Sequence, residues 1–320
     1  MQPTVTVPPA TAQSLPARWR HALKPASWPK LLVPTVLGQG LGLAVAPAWS
    51  WGAAAFGVAF TLALGVFIVL MNDWADVRVD RLKREMFPTG CSPKTIPDGL
   101  LSARAVLVVG LLAGVLALAL AASLAGPLAR PWLGALGLAC VATFVAYSLP
   151  PLALNYRGGG ELLETLGVGV LLPWVQAYAL SGLVWSPHWA WLVGHAWLAL
   201  ASALASGLSD EESDRAGGKR TFTTMLGNGV VRAGVRTCLS LGALAWAVAG
   251  VLGVGPAPWV GLLAAVALSL HLPALRGLGA VAVTNAFEAQ GLYKQALHQA
   301  CWLATLTLAV GVVIASRVGP

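Results

Sequence analysis

Charged residues are scarce in this chain. They make up 10% of its 320 residues, while hydrophobic residues make up 57%; soluble domains carry about 25% charged residues. The mean hydropathy is +0.75. This composition excludes an ordinary soluble domain and predicts a protein of the lipid bilayer. The 36 glycines and 14 tryptophans agree, because glycine lets membrane helices approach closely and tryptophan favours the membrane interface.

Cysteine is also scarce. The four cysteines lie far apart and form neither a CxxC pair nor a cluster with histidine: Cys91, Cys140, Cys238 and Cys301. That spacing gives no support for a zinc site, a haem attachment or a disulfide framework. We expect these residues to be small buried hydrophobic side chains.

An apolar leader is missing from the N-terminus. Residues 1–25 contain five prolines and no apolar core of a signal peptide. We interpret 1–25 as a flexible cytoplasmic arm and 26–320 as a single membrane domain. The net charge of +8 has a topological cause in such a protein, so we expect no nucleic-acid partner.

Apolar stretches recur along the rest of the chain. A helix needs roughly 20 apolar residues to cross the hydrocarbon core. The nine predicted spans are 28–48, 51–72, 102–126, 131–149, 162–183, 189–208, 235–255, 257–276 and 297–316. The fifth and the eighth contain Pro173 and Pro273, which we expect to kink their helices.

Basic residues lie almost entirely on one side of these spans. With the N-terminus in the cytoplasm, 18 of the 20 Lys and Arg residues face that side, and the exceptions are Arg130 and Arg317. This asymmetry follows the positive-inside rule. All 12 acidic residues fall on the same side. We therefore predict an all-α, multi-pass protein of the inner (cytoplasmic) membrane, with its N-terminus and its polar chemistry in the cytoplasm.

Two cytoplasmic stretches carry carboxylates at four-residue spacing. In NDWADVRVD, Asn72, Asp76 and Asp80 follow the second span; in SDEESDR, Asp210 and Asp214 follow the sixth. If each span continues as a helix, residues four apart share one face. Mg²⁺ usually takes one or two protein carboxylates together with substrate phosphate oxygens. These two rows of ligands, here called the acidic ladders, predict a Mg²⁺–diphosphate site in which all five residues are metal ligands.

Further polar residues surround each ladder. The predicted substrate-binding set, in which the cations bind the remaining phosphate oxygens, is Asn72, Asp73, Arg81, Arg84, Lys94, Lys219 and Arg220, with Lys83 and Arg215 in the same stretches. Asp73, Glu211 and Glu212 lie off the ladder face, so we expect them beside the metal ligands or facing solvent. A solvated helix end would explain one such cluster, but two clusters with the same spacing favour a site.

These paired ladders resemble the motifs of the UbiA superfamily of intramembrane prenyltransferases. Members carry NxxxDxxxD after helix 2 and DxxxD after helix 6, and the resemblance covers residues 20–316. Three further stretches are similar to the family, in particular to its menaquinone-pathway branch (1,4-dihydroxy-2-naphthoate prenyltransferase-like): LKPASWPKLLVPTVLG, AYSLPPLALNYRGGGELLETLGVG and DRAGGKRTFTTMLG.

Two positions depart from the family pattern. Lys94 stands where members have the arginine of an Arg-Pro pair, after a short insertion around 87–92, and Asn155 replaces a lysine. Both positions concern how the acceptor and the diphosphate are bound. The ladders themselves are intact.

The resemblance implies nine transmembrane helices around a central cavity open to the cytoplasm. It also implies Mg²⁺-dependent transfer of a prenyl group from an allylic (poly)prenyl diphosphate to an aromatic acceptor, in quinone or related lipid biosynthesis. Asp76, Asp80, Asp210 and Asp214 would assist departure of the diphosphate, and an apolar channel would keep water from the allylic cation. Tyr147, or a carboxylate that binds no metal, would assist loss of the acceptor proton.

Other functions remain open at this point. A membrane terpene cyclase of the same superfamily would quench the cation within one substrate, and a tetrapyrrole is another possible acceptor. A small-molecule transporter should carry internal repeats and charges along a path through the membrane, whereas the span centres here are apolar. The sequence carries no sign of an oligomeric state.

Overall fold

The computed structural model of the protein describes residues 13–46, 48–89 and 91–318. Residues 1–12 of the predicted flexible arm lie outside the described residues. The described end of that arm forms a short helix whose last residue, Ala22, packs on Leu70, Leu101 and Val106. This part of the arm is therefore joined to the membrane domain by a small apolar cluster.

The described chain is α-helical and contains no β-strand. Its helices, in chain order, are α1 Leu15–Ala22, α2 Pro29–Val45, α3 Trp51–Ala75, α4 Val77–Met86, α5 Ala103–Ala125, α6 Leu133–Ser148, α7 Gly160–Glu164, α8 Leu172–Ser181, α9 Trp191–Ser206, α10 Glu211–Ala216, α11 Phe222–Leu226, α12 Asn228–Val251, α13 Pro258–Ser269, α14 Leu272–Val281 and α15 Phe287–Val318.

Seven helical segments of the described chain are long and apolar enough to cross a membrane: 51–75, 103–125, 160–181, 187–209, 228–251, 258–281 and 287–318. The apolar helices α2 and α6 occupy the positions of the first and fourth predicted spans, but they have only 17 and 16 residues. A helix needs roughly 20 residues to cross the hydrocarbon core. The all-α membrane fold is confirmed, and the count of nine crossings stays a prediction.

Serine side chains cap the N-termini of two membrane spans. The Ser50 hydroxyl accepts a hydrogen bond from the Ala53 amide before α3, and the Ser102 hydroxyl accepts one from the Ala105 amide before α5, both at 3.2 Å. These bonds satisfy amide groups that have no partner inside the helix. A long apolar run follows each serine in α3 and α5.

Both prolines flagged in the sequence lie at helix interruptions. Pro173 lies in the first turn of α8, directly after a π-helix over Thr165–Leu171. Pro273 lies in the first turn of α14, after a break that separates it from α13. Proline lacks the amide hydrogen and clashes with the preceding turn. Pro173 thus lies where a π-helix passes into an α-helix, Pro273 lies just after a break, and the kinks themselves stay a prediction.

Glycines bring some of the helices very close together. A Cβ on Gly38 of α2 would lie 2.1 Å from the Pro173 carbonyl oxygen of α8, and a Cβ on Gly194 of α9 would lie 2.3 Å from the Trp246 ring of α12. Such contacts are typical of membrane helices, which associate through small residues. In the helix pairs α2–α8 and α9–α12, a glycine backbone therefore lies directly against the neighbouring helix.

Candidate active site

The first acidic ladder lies at an interrupted helix. α3 ends at Ala75, α4 begins at Val77, and Asp76 lies between them with φ −92° and ψ 6°. The Asp76 amide still donates to the Asn72 carbonyl at 2.9 Å, and the Asp80 amide donates to the Asp76 carbonyl at 2.8 Å. The expectation of one continuous helix is therefore wrong at Asp76, the middle residue of the ladder, but the hydrogen bonds still repeat every four residues.

The second ladder is built in the same way. After α9, a 3₁₀ turn over Gly207–Ser209 leads to Asp210, which has φ −117° and ψ 3° and precedes α10. The Asp214 amide donates to the Asp210 carbonyl at 2.7 Å. In both ladders an aspartate ends a membrane helix and begins a short polar one.

The two ladders line one cavity of about 260 Å³. Asn72, Asp76, Asp80, Asp210 and Asp214 all contribute to its wall. We call this space the acidic cavity. The convergence expected from the sequence is thus present in the fold, since α4 and α10 pack against each other.

Lysines connect the two ladders reciprocally. Lys219 follows the second ladder, and its Nζ lies 2.6 Å from Asp76 Oδ2 of the first. Lys83 follows Asp80 of the first ladder, and its Nζ pairs with the Asp210 carboxylate of the second. Each segment therefore supplies a counter-charge to the other.

Asp76 is the most fully bonded carboxylate of the ladders. Its oxygens accept hydrogen bonds from Asn72 Nδ2 at 3.3 Å, Tyr156 OH at 2.9 Å and Lys219. The Lys219 ammonium also lies 4.9 Å from the centre of the Tyr156 ring, a cation–π distance. Asp80 is held more simply, by Lys94 Nζ at 2.5 Å from its Oδ1.

Burial and neighbouring charges shift the pKa values of the ladder carboxylates in opposite directions. Burial raises the pKa of Asp80, although Lys94 opposes it. Burial likewise raises the pKa of Asp214 to about 7. Burial would also raise the pKa of Asp210, but the surrounding lysines outweigh it and hold that pKa below its usual value. The cavity therefore holds carboxylates with different proton affinities.

This chain matches a known protein family over most of its length. The model of the UbiA prenyltransferase family matches residues 31–278 of the chain. The chain belongs to this family. It is an integral membrane prenyltransferase.

Known relatives of this UbiA-family enzyme agree. The 1,4-dihydroxy-2-naphthoate octaprenyltransferase of Mycobacterium tuberculosis is 26% identical over 253 residues, which cover 73% of this chain and 81% of that protein. The structure of a UbiA homolog from Archaeoglobus fulgidus bound to DMAPP and Mg²⁺ has a TM-score of 0.63 at 16% identity, covering 92% of this chain and 99% of that one. An apo UbiA homolog from Aeropyrum pernix K1 has a TM-score of 0.65 at 16% identity, covering 89% and 97%. These structures share the fold.

The donors of the acidic cavity are of the type that Mg²⁺ prefers. All five ladder residues offer carboxylate or amide oxygens, which are hard ligands. Within residues 13–46, 48–89 and 91–318, no three His, Cys, Asp or Glu side chains come close enough together to hold a metal ion by themselves. Lysines lie between the ladder carboxylates instead. The donor set fits an ion that takes one or two of these carboxylates together with phosphate oxygens.

The structure brings only part of the predicted substrate-binding set to the cavity. Asn72, Asp73, Lys94 and Lys219 line the acidic cavity, as does the predicted catalytic residue Tyr147. Asp73 is buried and accepts a hydrogen bond from the Thr95 hydroxyl at 2.6 Å.

Three predicted arginines lie elsewhere. Arg84 Nε donates to Asp98 Oδ1 at 3.1 Å, while Arg81 and Arg220 are solvent-exposed, and none of the three lines the acidic cavity among the described residues. Successive residues of a helix point about 100° apart. On α4, Lys83 consequently faces the cavity while Arg84 faces away. The predicted set contained Arg84 and not Lys83, because their neighbouring positions in the sequence do not distinguish these two environments.

Several residues of the site were not predicted. The acidic cavity is also lined by Lys24, Glu161 and Glu164. A second cavity, which shares some of these residues, is lined by Lys30. The signal available was the presence of Glu161 and Glu164 at the start of an otherwise apolar span, because intramembrane carboxylates are usually functional. Asn155, flagged only as a departure from the family pattern, lines the cavity with a buried amide that has no hydrogen-bond partner in the described part of the chain.

Proposed function

We propose that this enzyme transfers a prenyl group from an allylic diphosphate to an aromatic acceptor with the help of Mg²⁺. One observation carries the proposal: two acidic ladders from distant parts of the chain line a single cavity together with lysines. Carboxylates for a metal and ammonium groups for phosphate are the two kinds of side chain that a metal–diphosphate complex requires.

The comparisons support the substrates proposed. The Mycobacterium tuberculosis relative is named for 1,4-dihydroxy-2-naphthoate, which favours a dihydroxynaphthoate-type acceptor and a role in quinone biosynthesis. The Archaeoglobus fulgidus homolog is bound to DMAPP and Mg²⁺, which favours a prenyl diphosphate donor and magnesium. Asn72, Asp76, Asp80, Asp210 and Asp214 are the proposed metal ligands.

The lysines of the cavity would bind the leaving group. Lys83, Lys94 and Lys219 each lie beside a ladder carboxylate, so they can exchange that carboxylate for a diphosphate oxygen without losing a counter-charge. When bound, Mg²⁺ would supply further positive charge that stabilises the departing diphosphate. Together these charges favour cleavage of the allylic C–O bond.

A second cavity adjoins the first and suits the apolar part of a substrate. It has a volume of about 230 Å³, and Leu31, Ile68, Val69, Phe144 and Val168 form its apolar wall. We call it the apolar cavity. Its hydrophobic lining would hold the isoprenoid or the acceptor ring and keep water from the allylic cation. The proposed catalytic residue Tyr147 lines both cavities.

We also propose that the site opens to the cytoplasm from an inner-membrane protein. The distribution of 18 of the 20 Lys and Arg residues on one side of the spans supports this orientation. In a chain whose free and half-exposed Cys91 is replaced by serine, a cysteine introduced at Arg81, which is exposed beside the first ladder, should react with an impermeant thiol reagent from the cytoplasmic side only. Labelling from the opposite side would contradict the orientation.

The function is tested with a panel of donors and acceptors. Purified enzyme is incubated with geranyl, farnesyl, geranylgeranyl or longer diphosphates, each with 1,4-dihydroxy-2-naphthoate, 4-hydroxybenzoate or homogentisate. We expect a prenylated aromatic product that EDTA abolishes and Mg²⁺ restores. A cyclic product from a prenyl diphosphate alone would favour the terpene cyclase alternative, and turnover that is insensitive to EDTA would contradict the role of magnesium.

A further inference from the structure

A carboxylate that belongs to neither ladder lies where the two cavities meet. Glu164 is the last residue of α7 and precedes the π-helix Thr165–Leu171, a wide helical turn often found at functional sites. Its side chain lines both the acidic cavity and the apolar cavity, as do those of Asn72 and Tyr147. The phosphate end and the apolar part of bound substrates would therefore adjoin at Glu164.

The Glu164 carboxylate is free to accept a hydrogen bond from a ligand. In the described chain its partner is Lys30, whose Nζ lies 3.6 Å from Glu164 Oε1, too far for a hydrogen bond. Lys30 donates instead to Ser206 Oγ at 2.8 Å. Asp76 and Asp80, by contrast, accept from lysines at 2.6 and 2.5 Å. Asp214 also has a cation nearby without a hydrogen bond, Lys219 at 4.0 Å, but it lines the acidic cavity and not the apolar one, so Glu164 is the carboxylate of this kind at the junction.

We propose that the Lys30–Glu164 pair binds and activates a hydroxyl group of the aromatic acceptor, with Glu164 as the general base. The inference rests on the proposed function, because it concerns the acceptor of that reaction. It assigns catalysis to a carboxylate outside both ladders and makes a hydroxylated ring the required acceptor class.

The proton and electron transfers balance for an acceptor that is prenylated at a C–H carbon. The hydroxyl proton moves to a Glu164 oxygen, and the electron pair left on the acceptor oxygen enriches the ring. The C–O bond of the donor breaks and its electrons leave with the diphosphate, and the ring carbon then bonds to the allylic cation. The ring hydrogen departs as a proton to diphosphate or water, and Glu164 returns its proton to the acceptor oxygen.

Lys30 contributes by charge. When the proton moves to Glu164, the negative charge passes from its carboxylate to the acceptor oxygen, and the ammonium of Lys30 remains beside both positions. The net charge of the group does not change during the transfer. A fixed cation next to a developing oxyanion lowers the barrier, because no further reorganisation is needed.

Neighbouring groups are less suited to this role. Tyr147 shares the junction, but a phenol carries its own proton and has no anionic oxygen to take one from the acceptor, whereas a carboxylate only accepts. Glu161 lines the acidic cavity but not the apolar one. Its Oε1 accepts a hydrogen bond from the Phe222 amide at 2.7 Å, while its Oε2 is buried with no partner in the described chain. Its place away from the apolar cavity is therefore what distinguishes it from Glu164.

The test compares the wild type with Glu164→Gln, which removes the base, and Glu164→Asp, which keeps a shorter one. Each enzyme is given the best donor of the panel and whichever of the three named acceptors the wild type prenylates. Diphosphate release and prenylated product are measured separately from about pH 6.5 to about pH 9. Glu85→Gln is the matched control, because Glu85 is exposed on α4 and lines neither cavity.

Glu164→Gln should lower product formation about 10²-fold at neutral pH, while diphosphate release stays within about threefold of wild type because both ladders are intact. The allylic cation that meets no activated ring is then captured by water and leaves as the prenol, which is measured with the diphosphate. Its remaining transfer should rise roughly tenfold per pH unit, since the phenolate then comes from solution. The wild type and the control should show little change over this range. Glu164→Asp should lose about tenfold in product with diphosphate release retained.

Three results would overturn the inference. Product formation by Glu164→Gln within about threefold of wild type would exclude a general base. A parallel loss of product and diphosphate release in Glu164→Gln, with an unchanged pH profile, would assign Glu164 a structural role. If Glu164→Gln does not fold, the same measurements on Glu164→Asp decide between the two roles. A wild type that prenylates none of the three acceptors would refute the proposed function first, before any variant is made.

Discussion

The two acidic ladders are built alike and held differently. Asp76 accepts hydrogen bonds from three side chains, and its own side chain is 11% exposed. Asp210 has the same backbone position in the second ladder, but its described partner is one lysine and its side chain is 33% exposed. The protein therefore fixes the position of Asp76, whereas Asp210 can exchange its partner more easily.

Their cross-pairing joins the ladders into one unit. Lys219 follows the second ladder and binds Asp76 of the first, while Lys83 follows the first and binds Asp210 of the second. Neither segment would keep its charges balanced if the other moved away. The contrast between a fixed Asp76 and an exchangeable Asp210 therefore depends on both ladders being packed together. Substitutions in each ladder should show which aspartate matters more for stability.

The largest effects are expected at these two aspartates. Asp76→Ala and Asp210→Ala should each lower kcat/KM by at least about 10³-fold, because each removes a carboxylate from the proposed metal–diphosphate site. They should differ in stability. Asp76→Ala leaves three half-buried donors without their acceptor and should cost about 2–3 kcal/mol, whereas Asp210→Ala should cost about 1 kcal/mol. Steady-state kinetics and thermal unfolding in detergent measure both quantities.

Glu85→Gln, an exposed substitution on α4, is the control for these variants. Near wild-type activity in either alanine variant would refute its assignment as a metal ligand. Equal losses of stability would remove the contrast between a fixed and an exchangeable aspartate.

Smaller effects are expected from the lysines that cross between the ladders. Lys219→Met and Lys83→Met should each lower kcat/KM for the prenyl diphosphate about 10²-fold, because each removes a charge-assisted contact to the leaving group. Lys219→Met should be the worse, since Lys219 also lies 4.0 Å from Asp214.

Arg78→Met is the matched control for the lysine variants, because Arg78 lies on α4 with Lys83 and is exposed. Initial rates at varied diphosphate concentration provide the measurement. An unchanged KM and kcat in both lysine variants would show that these ammonium groups serve only to pair with the carboxylates.

The smallest effect is expected where the ladder segments touch. A Cβ on Gly217, after α10, would lie 2.6 Å from Val79 Cγ2 on α4, and a β-branched side chain has little freedom to move away. Gly217→Ala should therefore separate the ladders slightly, lowering activity about tenfold and stability by about 1–2 kcal/mol. Activity assays and thermal unfolding measure both effects.

Gly229→Ala on α12 is the control for Gly217→Ala, because a Cβ there meets no atom within 4 Å. If both alanine variants behave like wild type, then close contact between α4 and α10 is not needed for the site.

Local pattern was enough to predict the ladders but not their detail. Asp76 and Asp80, like Asp210 and Asp214, are four residues apart after an apolar run, and this spacing alone places side chains on one helix face. The break of the helix at Asp76 was missed. A single non-helical residue changes no hydrophobic period, so the sequence carries no signal for it.

The basic residues show more clearly what could not be predicted from the sequence. Arg84 and Lys83 are neighbours in the sequence, yet Arg84 binds Asp98 while Lys83 binds Asp210. Lys30 and Glu164 are distant in the sequence and pair across the junction of two cavities. Long flexible side chains of one charge type are alike in sequence, and only their surroundings distinguish them.

The sequence by itself determined that the chain is helical, lies in a membrane and carries two acidic ladders, because composition and short-range periodicity depend only on neighbouring residues. Tertiary structure alone decided which lysine meets which carboxylate and that Glu164 lies where the acidic and apolar cavities join. Those contacts depend on how glycine-packed helices from distant parts of the chain are arranged, and no local pattern contains that arrangement.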